Sequence, residues 1–218
     1  MLYRVPVLLV SFMVHELSHA YVAYRCGDDT AKRAGRISVN PIRHIDPIGA
    51  IMLLVAGFGW AKPVPINPDN FNNKRKGIIL TSLAGPFSNI LLAIVFSVVL
   101  DIIFAQGRPL PSFLFTPAGQ PVRAILNQFY VINIALAAFN LIPIPPLDGS
   151  KVLFSFLPDR IYFDYVLRYE RYGMFLLIAL SISGFLMVIL GPVMGLLVTV
   201  IRAAASPISE LILGMLRN

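Results

Sequence analysis

At 218 residues the chain is long enough for one domain or two small ones, but 57% of it is hydrophobic and only 13% charged, against roughly 45–50% and 25% in soluble domains. So few charges cannot cover a water-soluble globule, and they also exclude a coiled coil or a disordered chain; an integral membrane protein remains. The formal net charge of +7 then belongs to loops at a membrane surface rather than to nucleic-acid binding, and the single cysteine, Cys26, permits neither an intrachain disulfide nor a Cys-rich metal site.

Crossing a bilayer takes about 20 apolar residues. The first run, about 5–24, is too polar for a signal peptide: it contains His15, Glu16 and His19, and no small-residue cleavage site follows. After it, Gly35–Asn40 alternates in polarity like an edge strand, and Ile48–Trp60 is apolar but too short to cross. That stretch reads as a membrane-associated β-hairpin or re-entrant segment. Lys74-Arg75-Lys76 reads as a lipid-headgroup anchor. The next runs are 79–104, 124–144, which carries Asn127, Asn133 and Asn140, and 174–201, which Gly191-Pro192 should kink or break. The expected fold is therefore an all-α polytopic membrane protein with about four transmembrane helices, one domain over 1–218. Four spans place the 25–78 and 149–173 loops on one side, and these hold thirteen of the eighteen Lys and Arg. The positive-inside bias puts that side in the cytoplasm, and the expected location is the plasma membrane.

Within the first span, His15-Glu16-Leu17-Ser18-His19 is an H-E-x-x-H sequence. On a helix the two histidines are about 40° apart and one turn up, so both imidazoles reach one ion, while Glu16 flanks it at about 100° from His15. With three His in the whole chain, chance would produce the pattern only about 6 × 10⁻⁴ times. Three ionisable groups at membrane depth are costly unless paired or metallated, and such groups are by default functional. A catalytic zinc usually takes three protein ligands and a water. Asp148 is the best third candidate. It follows Pro143, Pro145 and Pro146, which end the third span and leave a rigid unwound segment. By the charge count it lies on the same side, and at similar depth, as His19. His44, in a turn-rich loop, is better explained as structural.

His15-Glu16-Leu17-Ser18-His19 together with Leu147-Asp148-Gly149, and with Asn40-Pro41 through Asp46-Pro47, Phe58 through Pro65, and Ala84-Gly85-Pro86-Phe87-Ser88-Asn89, resembles the site-2 protease family of intramembrane zinc metalloproteases, in its compact form without PDZ or CBS domains. The resemblance covers roughly residues 10–155. It implies that His15, His19 and Asp148 ligate one Zn2+ per chain and that Glu16 is the base activating the zinc-bound water. It also implies hydrolysis of peptide bonds in transmembrane protein or peptide substrates, inside the lipid bilayer, with accessory regulators as possible partners. Asn140, a buried amide before Asp148, is then the candidate oxyanion donor; the roles of Asn89 and Asn133 stay open. A substrate helix must unwind to be cut, and the expected strand at Gly35–Asn40 or the hairpin would receive it. The alternatives are a membrane metal transporter and a non-catalytic zinc-binding membrane protein. A transporter calls for ligands along a path rather than in one cluster.

Overall fold

The structure, a computed structural model, describes residues 3–56, 59–105, 112–158 and 167–216. Among them lie helices α1 (Arg4–Arg25), α2 (Thr30–Arg33), α3 (Pro47–Ala56), α4 (Lys74–Phe104), α5 (Gln120–Leu141), α6 (Asp148–Phe154), α7 (Leu167–Ile182) and α8 (Phe185–Met215). Four are long and apolar enough to cross a membrane: α1, α4, α5 with the turn before it, and α8. The all-α polytopic expectation therefore holds, with shifted boundaries.

α4 stands at the centre and packs against α1, α5, α6 and α8. Its 31 residues give about 46 Å of helix, so the basic first turn extends beyond a hydrocarbon core of about 30 Å. Asn73 starts it by accepting the Lys76 N–H at 2.9 Å. The basic turn, expected to anchor at lipid headgroups, also makes contacts within the molecule. Lys74 pairs with Asp69 at 2.6 Å, and Arg75 donates to the Ser155 carbonyl at the end of α6.

The apolar core lies where α4, α5, α7 and α8 meet, around Ala93, Ile134, Ala137, Ala138, Leu177, Leu190 and Ile201. Small residues let these backbones approach closely, the usual basis of helix packing in lipid. Between α1, α4 and α5 buried polar residues gather instead: Ser11, His15, His19, Thr81, Ser82, Asn89 and Asn133. The bundle thus has an apolar side and a polar seam.

Three expectations are corrected. Residues 47–56 form a helix, and no β-hairpin occurs among the described residues (Gly57 and Phe58 lie outside them). Pro47 opens α3, and the Asp46 carboxylate accepts the Gly49 N–H at 2.8 Å, a helix start that needs no partner strand. A helix also satisfies its own backbone in apolar surroundings, which a lone hairpin does not. At ten residues, about 15 Å, it is too short to cross. One antiparallel bridge, Ile45 to Ala61, closes its base. Second, Gly35–Asn40 is irregular rather than a strand. Third, the last apolar run does not break at Gly191-Pro192. α8 continues through Pro192 and Pro207, and the break falls between α7 and α8 at Gly184, whose φ of 74° is left-handed and suits glycine alone. Just before it, Ser183 Oγ accepts the Phe185 N–H at 3.4 Å.

Candidate metal centre

His15 and His19 stand one turn apart on α1, and their Nε2 atoms face each other at 3.0 Å. Asp148, the first residue of α6, closes the triangle: its Oδ2 lies 3.3 Å from His15 Nε2 and 3.2 Å from His19 Nε2. All three residues are buried. The Asp148 position comes from the proline segment. α5 ends at Leu141, residues 142–147 are non-helical, and α6 restarts the helix at Asp148. Gly149 makes the approach possible, because a β-carbon there would fall 2.7 Å from the Ile142 carbonyl and closer still to that of Leu141. The second carboxylate oxygen, Oδ1, is 3.6 Å from Lys151 Nζ.

The hydrogen bonds behind the imidazoles decide what their front atoms are. His19 Nδ1 lies 2.6 Å from the Thr81 carbonyl, which only accepts, so Nδ1 carries the proton and Nε2 offers a lone pair. Pro86, inside α4, removes the helical donor to the adjacent Ser82 carbonyl. For His15 the logic runs through two amides. Asn133 Nδ2 donates to the Phe129 carbonyl at 2.8 Å and to Ser11 Oγ at 3.0 Å, which turns its oxygen toward Asn89. Asn89 Nδ2 donates to that oxygen at 2.7 Å, so Asn89 Oδ1 faces His15 Nδ1 at 2.6 Å. His15 Nδ1 is therefore a donor too, and its Nε2 is free to ligate.

With both imidazoles neutral, two nitrogen lone pairs and one carboxylate oxygen converge with no hydrogen between them. Three acceptors this close repel one another unless a cation joins them. Ligands about 2.0–2.1 Å from a tetrahedral zinc stand about 3.3 Å apart, and the three edges here are 3.0, 3.2 and 3.3 Å. Gly85 of α4 seals the cluster from one side. A β-carbon there would fall 2.6 Å from His15 Nε2 and closer to His19 Nε2, so any side chain at this position would enter the space between the ligands.

Glu16 is on the next face of α1, half-buried, and its Oε2 accepts the Val64 N–H at 3.0 Å. Asn140 donates Nδ2 to the Leu136 carbonyl of its own helix at 3.0 Å, a bond that occupies one of its two amide hydrogens. His44 sits apart, buried in the 26–73 loop, with Nε2 2.8 Å from the Ser38 carbonyl. Its own carbonyl accepts the Lys62 N–H at 2.9 Å. The structure thus brings together His15, His19 and Asp148, and adds Ser11, Thr81, Gly85, Asn89 and Asn133. In the sequence these stand only as polar or small residues within apolar runs, Ser11 four residues before His15 and Thr81, Gly85 and Asn89 four apart.

The profile of peptidase family M50 matches residues 116–184. YwhC of Bacillus subtilis, provisionally named a zinc metalloprotease, is 42% identical over 185 residues, which is 83% of this chain and 80% of YwhC. MJ0611 of Methanocaldococcus jannaschii, named in the same provisional way, is 35% identical over 145 residues, 65% of this chain and 64% of that protein. Rip2 of Mycolicibacterium smegmatis, again a provisional zinc metalloprotease by name, is 31% identical over 151 residues, 66% of this chain and 53% of its own length. No solved structure matches the chain.

Proposed function

Because this chain belongs to peptidase family M50, the site-2 protease family of zinc metalloproteases, we propose that it hydrolyses peptide bonds of transmembrane substrates within the membrane. The observation that carries this reading is the buried convergence of His15 Nε2, His19 Nε2 and Asp148 Oδ2, all within 3.3 Å of one another, with the Glu16 carboxylate on the neighbouring face of α1. His15, His19 and Asp148 would hold the family's zinc. When bound, zinc lowers the pKa of a water to about 7 and polarises a scissile carbonyl. Glu16 would serve as the base, accepting a proton on its carboxylate and passing it to the leaving amine. The Val64 N–H holds one carboxylate oxygen and leaves the other for the proton. Asn140 keeps one amide hydrogen with which to stabilise the oxyanion.

The depth of the centre suits this work. His19 is six residues from Arg25 at the end of α1, about 9 Å of helix, which is close enough for water to enter from the loop side. We assign that side to the cytoplasm on the charge distribution, the membrane to the plasma membrane, and residues 1–218 to one catalytic unit. The substrate is a single-span or multi-span membrane protein whose helix unwinds locally, since a helical peptide bond is shielded by its own hydrogen bonding.

The test uses the detergent-purified protein and a fluorescently labelled peptide with one 20-residue apolar span. Glu16→Gln keeps its zinc and loses about 10²–10⁴-fold in kcat. A Glu16→Gln protein that cleaves like the parent would remove the base, and a parent that leaves every span-containing peptide intact would remove the reaction.

A further inference from the structure

Arg36 is buried at 6% exposure, and the structure gives it no carboxylate partner among the described residues. Its guanidinium is instead spent on two consecutive backbone carbonyls: Nη1 donates to Pro63 O at 3.0 Å and Nη2 to Lys62 O at 2.5 Å. Burying a cation against neutral acceptors is costly, and an apolar side chain would fill the space more cheaply. What arginine uniquely offers here is a rigid planar fork that fixes two neighbouring peptide units at once.

The next backbone donor after those carbonyls is the Val64 N–H, which is held by Glu16 Oε2 at 3.0 Å. Pro63 and Pro65 flank it and have no N–H, so Val64 is the only donor in the three residues. Its side chain is buried against Ala20 of α1 and Ala31 of α2. The Arg36 backbone is tied to the same place, its N–H bonding to Ala31 O at 2.9 Å. Arg36, the 62–64 backbone and Glu16 thus form one connected series.

We propose that Arg36 is a positioning residue. By clamping the Lys62 and Pro63 carbonyls it fixes the Val64 N–H, and through it the place at which the Glu16 carboxylate stands beside the metal centre. This rests on the reading of Glu16 as the base, so the test has one arm that does not depend on proteolysis.

That arm is hydrogen exchange at the Val64 amide, followed by NMR of the zinc-loaded, 15N-valine-labelled protein in detergent. Arg36→Gln raises the exchange rate about ten- to a hundredfold, the range of a lost hydrogen bond to a charged group, with zinc content unchanged. The kinetic arm uses the labelled single-span peptide: kcat falls about tenfold or more while KM moves less than about twofold. Arg36→Lys, which keeps one of the two contacts, falls between. Val64→Pro deletes the donor itself and lowers kcat as far as Arg36→Gln does, and the double variant loses no more than either single one. Unchanged Val64 exchange in Arg36→Gln overturns the clamp. Faster exchange with an unchanged kcat, or additive losses in the double variant, overturns its role in positioning the base. A parent that cleaves nothing refutes the proposed reaction alone, and the exchange arm still decides the clamp. Should Arg36→Gln fail to fold, as zinc content and melting would report, Arg36→Lys and Val64→Pro carry the test.

Discussion

The two sides of α1 are held by different means. On one side His15 and His19 are backed by α4 and α5: an asparagine pair behind one ring, a backbone carbonyl behind the other. On the other side Glu16 is met by a single N–H from an irregular loop, itself held by Arg36. The difference matches what each side is asked to do. A proposed ligand must keep one tautomer and one direction, and rigid helices supply that. A proposed base must gain and lose a proton, and one hydrogen bond holds it without saturating it.

The strongest way to break this comparison is to fill the ligand side. Gly85→Val puts a side chain between the Nε2 atoms, and zinc per chain falls to background by metal analysis while the protein still purifies in detergent; a normally metallated Gly85→Val protein would place the metal elsewhere. Asp148→Ala follows, removing one of three ligand atoms. Most of the zinc is lost on dialysis against a weak chelator, and retention equal to the parent would take Asp148 out of the centre. Asn89→Ala touches no proposed ligand atom, yet it frees the His15 ring. Zinc affinity by competition titration drops about 10–100-fold. An unchanged affinity would make the polar seam a packing device only.

The smallest effect is expected in the loop on the Glu16 side. Asp28 is fully buried and accepts from Thr30 Oγ1, the Thr30 N–H, Asn70 Nδ2 and the Asn67 N–H at 2.5–3.1 Å. Burial pushes its carboxyl up, but these four donors outweigh it and hold it below the ordinary carboxylate value. A lowered folded pKa gives stability that is present above the unfolded pKa of about 3.9 and disappears as pH falls through the folded value. Asp28→Asn therefore melts earlier at pH 7, by about 1–3 kcal/mol of lost stability. The gap between parent and variant closes as the pH is taken from about 5 to below 3. A gap that persists at low pH would mean that the charge of Asp28 is not what stabilises the loop.

What could be read from the sequence divides along physical lines. The four spans were legible because a run of apolar residues has to reach a certain length to cross a bilayer, and nothing distant changes that. The grouping of His15, His19 and Asp148 was legible too, since helical spacing set the first pair and the charge count put Asp148 on the same side. Gly85, Asn89 and Asn133 were not: their meaning depends on the register of α1 against α4 and α5, which no local spacing contains. The Ile48–Trp60 segment was misread because a short apolar run has the same appearance as a strand or a helix. The capping Asp46 ahead of Pro47 was the signal that separates them. Pro192 drew the expected break away from Gly184 because proline breaks helices in water, whereas in an apolar bundle neighbouring groups tolerate it.

The Pro63-Val64-Pro65 segment has one more consequence. Its single N–H is already taken by Glu16, so these three residues offer the outside only carbonyl oxygens. Two copies of the chain meeting along this stretch would bring acceptor against acceptor, and neither could template the other into an intermolecular sheet. An irregular segment beside a metal centre is a natural place for a membrane protein to start aggregating in detergent, and the alternating prolines close that route.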